Sequence, residues 1–391
     1  MTTRPWVVVA GGGTAGHVLP ALAVADTLVA RGIDARSIGF VGSQRGVEKR
    51  LVPAAGYSLT MLSGRGLLRS FAPRAALTNL RSSIGLLGAT LRTIFSFLRA
   101  RPAVVLSVGG YASVPACLAA QLTRVPLVIA ESNARAGRSV RAFSKYAKAA
   151  AVAFPTTGLT RSVLTGNPVR REILDLARTP AQVARAEART ELGIDEATAV
   201  VTVFGGSLGA RRINETILAL CDLWVARPIL IRHVVGVRDL DWAQERRNTW
   251  LSDHPHAALT YQQVAYEDQM PRWYVASDVI VCRAGATSVA DLSVLGVPAI
   301  LIPLPGAADD HQTANARAVV DDGAAVLLAD RDLSAERLAR ALDELLDDPD
   351  RRSELSAAQR RRSRPDAGEA IADLLLVHAT RCPTLVDRSA G

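Results

Sequence analysis

The sequence predicts an α/β protein of two domains, each a doubly wound parallel sheet covered by helices on both faces. Three observations carry that expectation. Short β-rich apolar runs alternate with helical stretches, two series of runs each open with a glycine-rich turn, and a Gly-Asn-Pro turn stands between them. With 391 residues, 49% of them apolar and 21% charged, the chain is long enough for two cores.

The first series places strands near residues 6–10, 37–41, 104–108, 127–130 and 149–153, and the second near 199–204, 229–235, 279–282, 299–302 and 325–328. Between them, Gly166-Asn167-Pro168-Val169-Arg170 marks a turn followed by a charged segment. The expected division is a first domain over 1–165, a linker over 166–194, a second domain over 195–366, a helix over 367–380 able to return to the first domain, and a tail over 381–391. Trp6 to Ala10 runs at once into glycines, so it reads as a buried strand and not as a signal peptide. No window approaches the roughly 20 apolar residues of a membrane span. Four scattered cysteines without CxxC spacing fit a reducing cytoplasm, and the six histidines suggest no metal site. No cofactor is expected.

Charge is distributed unevenly. Residues 49–130 hold no Asp or Glu but ten basic residues, and residues 1–165 carry twenty bases against four acids (Asp26, Asp34, Glu48, Glu131), a net +16; the remainder is −7. The first half is therefore suited to an anionic surface or substrate. Leu77, Leu80, Ile84, Leu87, Leu91, Ile94 and Leu98 recur at helical spacing, with Arg74, Arg81, Arg92 and Arg99 in one row along the edge of that face. A core helix with a solvated basic edge is the plain expectation for the apolar face. The Arg row, with Leu67, Leu68 and Phe71 nearby, fits an interfacial membrane patch. Nucleic acid is disfavoured, since aromatics make up 5% and no stacking platform or recognition module is present.

Residues suited to chemistry collect where strands end. Gly11-Gly12-Gly13-Thr14-Ala15-Gly16-His17 leads from the first strand into a helix and contains the spacing of a dinucleotide turn. The second strand ends in Phe40-Val41-Gly42-Ser43-Gln44, without the acid that a nicotinamide enzyme wants for ribose, which argues against an oxidoreductase. His17 at this turn serves either as a base or as a helix cap. Gly109-Gly110-Tyr111 and Glu131-Ser132-Asn133 follow two further strands; Glu131 there either meets a ligand or neutralises an Arg. The second series has Gly205-Gly206-Ser207-Leu208-Gly209-Ala210, then Arg283-Ala284-Gly285-Ala286-Thr287-Ser288 with Asp291 one helical turn on, then His311-Gln312-Thr313-Ala314-Asn315. A helix N-terminus with hydroxyl side chains suits a diphosphate and needs no metal. Asp239-Leu240-Asp241 has the form of a metal-binding DxD but continues as an ordinary helix.

Taken together and in this order over some 300 residues, these segments resemble the MurG family of bacterial N-acetylglucosaminyltransferases. The resemblance implies the GT-B fold, two Rossmann-like domains facing across a cleft. The implied reaction is inverting, metal-independent transfer of GlcNAc from UDP-GlcNAc to lipid I. It implies a peripheral enzyme of the cytoplasmic face of the cell membrane, acting in peptidoglycan synthesis and so in cell shape and division, with cell-wall or division proteins as partners. On the donor side it implies Thr14, Gly16, Asn133, Arg170, Ser207, Ala286, Thr287, Ser288, Asp291, Gln312 and Asn315. Gly13, Tyr111 and Glu131 fall on the acceptor side, and His17 becomes the general base. The chain departs from the family pattern at Ala15, Ser132, Leu208, Asp291 and His311. Those departures leave open a transferase for another lipid or a soluble acceptor, and a non-catalytic nucleotide-sugar sensor.

Overall fold

The computed structural model describes residues 4–44, 46–62, 73–155, 159–206 and 209–386, with the side chains of residues 73–81 and 308 left aside. It divides into two compact units, residues 1–170 with 364–391, and residues 171–363.

Unit 1 opens with β1 (Val7–Ala10), α1 (Ala15–Ala30), β2 (Ile38–Ser43), α2 (Glu48–Ala54), β3 (Ser58–Leu62) and α3 (Pro73–Arg99). It continues with β4 (Val104–Ser107), α4 (Val114–Leu122), β5 (Leu127–Glu131), α5 (Arg138–Ser144), β6 (Ala149–Val152) and β7 (Ser162–Leu164). All seven strands are parallel, in the order β3-β2-β1-β4-β5-β6-β7. Successive strand side chains point to opposite faces, so Val7 and Val9 join Leu28 and Ile38 in one layer, while Val8 and Ala10 join Phe97, Ala116 and Phe143 in the other. The order reverses between β1 and β4, which places the turns after these two strands side by side at one end of the sheet.

Unit 2 begins with α6 (Arg171–Arg178) and α7 (Ala181–Leu192), so most of the segment expected as a linker is helical and part of this unit. The reason is packing: Arg189, buried in α7, donates to the Ala276, Asp195 and Glu196 carbonyls and pairs with Asp278. Next come β8 (Ala199–Phe204), α8 (Arg211–Leu223), β9 (Ile229–Val234), α9 (Leu240–Asp253), β10 (Thr260–Val264), α10 (Met270–Ala276) and β11 (Val279–Cys282). After them come α11 (Ala286–Leu295), β12 (Ala299–Leu301), α12 (His311–Asp321), β13 (Val326–Leu327), α13 (Ala335–Leu346) and α14 (Pro349–Arg362). The sheet is again parallel, in the order β10-β9-β8-β11-β12-β13 with its reversal between β8 and β11. Its main core gathers Val201, Val203, Ile217, Ile231, Val281 and Leu338. The last helix, α15 (Ala367–His378), returns to unit 1, where Ile371 and Leu375 are buried beside α1 and Arg31 pairs with Glu369 and Asp373.

The helix α3 is oriented opposite to the core-helix expectation. Its small and hydroxyl residues Ser82, Ala89, Thr90 and Thr93, with Phe97, face the protein, while Ile84, Leu87, Leu91, Phe95 and Leu98 are 58–69% exposed. Thr90 and Thr93 satisfy their buried hydroxyls on the carbonyls of Leu86 and Ala89, four residues back, as this face packs against α4, while the Ser82 hydroxyl on the same face is buried without a partner among the described residues. Arg92 and Arg99 are exposed, whereas Leu67, Leu68 and Phe71 and the side chains of Arg74 and Arg81 lie outside the described residues. No helix among the described residues is long and apolar enough to cross a membrane.

Candidate active site

In unit 1 the turns after β1 and β4 meet at the sheet reversal. Gly110 has φ +76°, and a Cβ there would stand 2.8 Å from the Gly12 carbonyl oxygen, so only glycine lets the two turns touch. Gly13 and Thr14 lead into α1, whose first turn holds Gly16 and His17. The Thr14 Oγ1 lies 3.2 Å from His17 Nδ1, and the Cδ2–Nε2 edge of the ring faces Gly109, close enough that a Cβ there would be in van der Waals contact. With the proton on Nδ1 donated to Thr14, Nε2 carries the lone pair a base requires. Tyr111 opens the 3-10 turn after Gly110, and burial pushes its phenol above the ordinary value.

Glu131, at the end of β5, is buried, and among the described residues no Arg pairs with it. Its Oε1 accepts from the Asn133 backbone N–H (2.9 Å) and Nδ2 (3.0 Å), and its Oε2 from the Gly137 N–H (2.8 Å), which fixes the loop into α5. Asn133 is thereby aimed by Glu131. A small cavity beside this loop is lined by Pro20, Val24, Glu131, Ser132, Asn167 and Pro168, and Arg170 ends the first of the unit's two chain segments.

Unit 2 builds its site at its own reversal. Ser207 lies outside the described residues, but the flanking Gly209 has φ +74° and a Cβ there would overlap the Val235 carbonyl. That carbonyl is fixed by wholly buried Asn214, whose Nδ2 donates to it (2.9 Å) and to Asp239 Oδ2 (3.0 Å). With both amide protons used, Asn214 Oδ1 must accept from His233 Nε2 (3.1 Å), which leaves His233 Nδ1 to accept from the Tyr261 hydroxyl (2.8 Å). Burial holds the His233 imidazole down at about 3, so it is neutral. Asp239 is thus engaged inside the protein and serves no DxD. Among the described residues no three His, Cys, Asp or Glu side chains cluster as metal ligands.

The start of α11 carries the expected small residues Ala286, Thr287 and Ser288 behind the N-cap Gly285, with no acid in the first turn and no side-chain cap. Its first amides have no partner within the helix, so the end is electropositive. Thr287 Oγ1 is buried without a hydrogen-bond partner, and Asp291 lies buried one turn on. Buried Arg283 supports the loop by donating to the Ile302 and Pro303 carbonyls and to Asp330. Asn315, expected at the sugar, is wholly buried and donates Nδ2 to the Ala284 carbonyl (3.1 Å), so it anchors the loop ahead of α11. Gln312 Oε1 accepts from the Leu304 N–H (3.0 Å) at the start of α12. Just before it, Asp309 and Asp310 hold left-handed φ of +52° and +55°, a strained entry of the kind found near ligand sites.

The sequence reading missed Glu48, Asn214 and His233 as site residues. Glu48 carried the one available signal, an acid in a stretch almost without acids, just after the end of a strand.

Known proteins are similar to this chain in sequence and in fold. Residues 7–152 match the glycosyltransferase family 28 N-terminal domain and residues 200–371 the family 28 C-terminal domain. The chain is 41% identical over 386 residues to the UDP-N-acetylglucosamine–N-acetylmuramyl-(pentapeptide) pyrophosphoryl-undecaprenol N-acetylglucosamine transferase of Alkalilimnicola ehrlichii, covering 96% of this chain and 99% of that one. It is 38% identical over 393 residues to the protein of the same name from an Anaeromyxobacter species, covering 98% and 94%. The crystal structure of Acinetobacter baumannii MurG superposes with a TM-score of 0.73 at 29% identity, covering 94% of this chain and 98% of that one. The chain belongs to glycosyltransferase family 28 and, within it, to the MurG family.

Proposed function

We propose that this protein transfers GlcNAc from UDP-GlcNAc to the 4-hydroxyl of the MurNAc unit of lipid I, forming lipid II. The observation that carries the reading is the uncapped, acid-free N-terminus of α11 with its hydroxyl side chains, in a chain similar over its whole length to transferases of that name. In this reading the amides at Ala286, Thr287 and Ser288 hold the donor diphosphate, with Arg170, Ser207, Asp291 and Gln312 on the same donor. Gly13, Tyr111 and the loop held by Glu131 shape the acceptor side. His17 Nε2 takes the proton from the acceptor hydroxyl as its oxygen bonds to the anomeric carbon. The bond from that carbon to the diphosphate oxygen breaks on the opposite face, giving inversion, and UDP leaves with the electron pair. Charge growing on UDP is met by the α11 N-terminus, so the step needs no metal.

The exposed apolar stripe of α3 with Arg92 and Arg99 supports peripheral attachment to an anionic membrane leaflet, on the cytoplasmic face where a lipid-anchored acceptor is presented. His17→Ala tests the base. The expected result is a loss of kcat of about 100-fold or more with KM for UDP-GlcNAc little changed, and loss of the acid limb of the pH–rate profile. An unchanged limb in the variant would remove His17 from that role.

A further inference from the structure

Glu48 opens α2 and is 1% exposed, in a half of the chain with only four acids. Both carboxylate oxygens are spoken for. Oε1 accepts from the Ser43 N–H and hydroxyl, each at 2.8 Å, and Oε2 accepts from the Gly13 N–H, also at 2.8 Å. Three glycines make room for it, because a Cβ on Gly12, Gly42 or Gly46 would overlap its side chain. Burial pushes this carboxyl up, but the donated hydrogen bonds outweigh that and hold it below the usual carboxylate range. A glycine turn ahead of a helix commonly presents its amides to a phosphate. Here the Gly13 amide is already taken by an anion belonging to the protein itself.

We infer that Glu48 is a positioning residue for His17: an internal carboxylate that occupies the glycine turn of unit 1, closes it to a nucleotide phosphate, and sets the direction of the catalytic imidazole. The inference rests on the proposed role of His17. The path is short. Glu48 fixes Gly13, the next residue Thr14 accepts from the backbone N–H of His17 (3.1 Å) and Val18 (3.2 Å), and the Thr14 hydroxyl meets His17 Nδ1. A displaced Gly13 therefore swings both the backbone and the ring of His17. The α11 amides proposed to hold the donor diphosphate lie in unit 2, whereas this path lies within unit 1.

Glu48→Gln tests this, since the amide keeps the volume but turns one acceptor into an NH₂ that faces the Gly13 or Ser43 donors. The expected result is a fall in kcat of about 10- to 100-fold, the scale of a sub-ångström to 1 Å misplacement, with KM for UDP-GlcNAc within about twofold. In a His17→Ala background the same change should cost less than about threefold, because there is no imidazole left to misdirect. Equal costs in both backgrounds, or no cost in either, would overturn the inference. Should Glu48→Gln not fold, Gly46→Ala pushes the intact carboxylate off Gly13 and must show the same non-additivity. Amide hydrogen exchange at Gly13 and His17 reads the same contact without turnover: faster exchange in the variant supports it and unchanged exchange overturns it. A folded wild type without transferase activity would instead sink the proposed function and leave the exchange result standing.

Discussion

The double substitution Leu87→Gln with Leu91→Gln removes the centre of the apolar stripe on α3. Both leucines are exposed, at 60% and 58%, and neither belongs to a buried cluster, so folding should be nearly unaffected. Full burial of a leucine contributes about 1.5–3 kcal/mol, so the six-tenths still exposed offers about 1–2 kcal/mol per residue to a membrane. The pair therefore contributes about 2–3.5 kcal/mol, or about 30- to 300-fold in partition onto vesicles. Co-sedimentation with vesicles rich in phosphatidylglycerol measures this, with turnover of a water-soluble acceptor analogue as the control for the intact site. Arg92→Gln should cost about a further 1 kcal/mol on anionic vesicles and much less on neutral ones. Equal partition of the double variant and the wild type would refute the assignment of this face to a membrane.

Two further outcomes are expected. Buried His233 is neutral when folded and ordinary when unfolded, so the unfolded chain binds an extra proton between about pH 6.5 and its folded value of about 3. Stability is therefore full above about pH 6.5 and falls as pH drops. Relative to His233→Gln, the wild type should lose about 2 kcal/mol more between pH 7 and pH 5 in urea titrations, and parallel curves would contradict the buried neutral state. Thr287→Val removes a buried hydroxyl that has no partner, so it should leave stability equal or raise it by about 1 kcal/mol while KM for UDP-GlcNAc rises about 10-fold. A less stable variant with unchanged KM would assign Thr287 to the fold instead of the donor.

The central strands were legible because each is buried on both faces and reads as a continuous apolar run, as in Val104–Ser107 and Val279–Cys282. The strands β3, β7 and β10 were not foreseen. Each lies at the edge of a sheet, and Ser162–Leu164, exposed throughout, carries no burial signal at all. The face of α3 was misjudged because helical periodicity reports that an apolar side exists, not whether protein or something else covers it. The glycine turns could be found from spacing alone. The role of Glu48 could not, since its distant partner Gly13 is brought to it only when β1 and β2 pair in register. Asn214 and His233 were hidden for the same reason: α8 and β9 meet only in the folded unit, and a histidine in an apolar run gives no sign of its tautomer.

The most direct measurement is transfer of radiolabelled GlcNAc from UDP-GlcNAc to a lipid I analogue in the presence of EDTA, with hydrolysis of UDP-GlcNAc followed in parallel. The account predicts labelled disaccharide-lipid product, undiminished by the chelator and lost in His17→Ala. Tight binding of UDP-GlcNAc without transfer to lipid I, or transfer that EDTA abolishes, would contradict it.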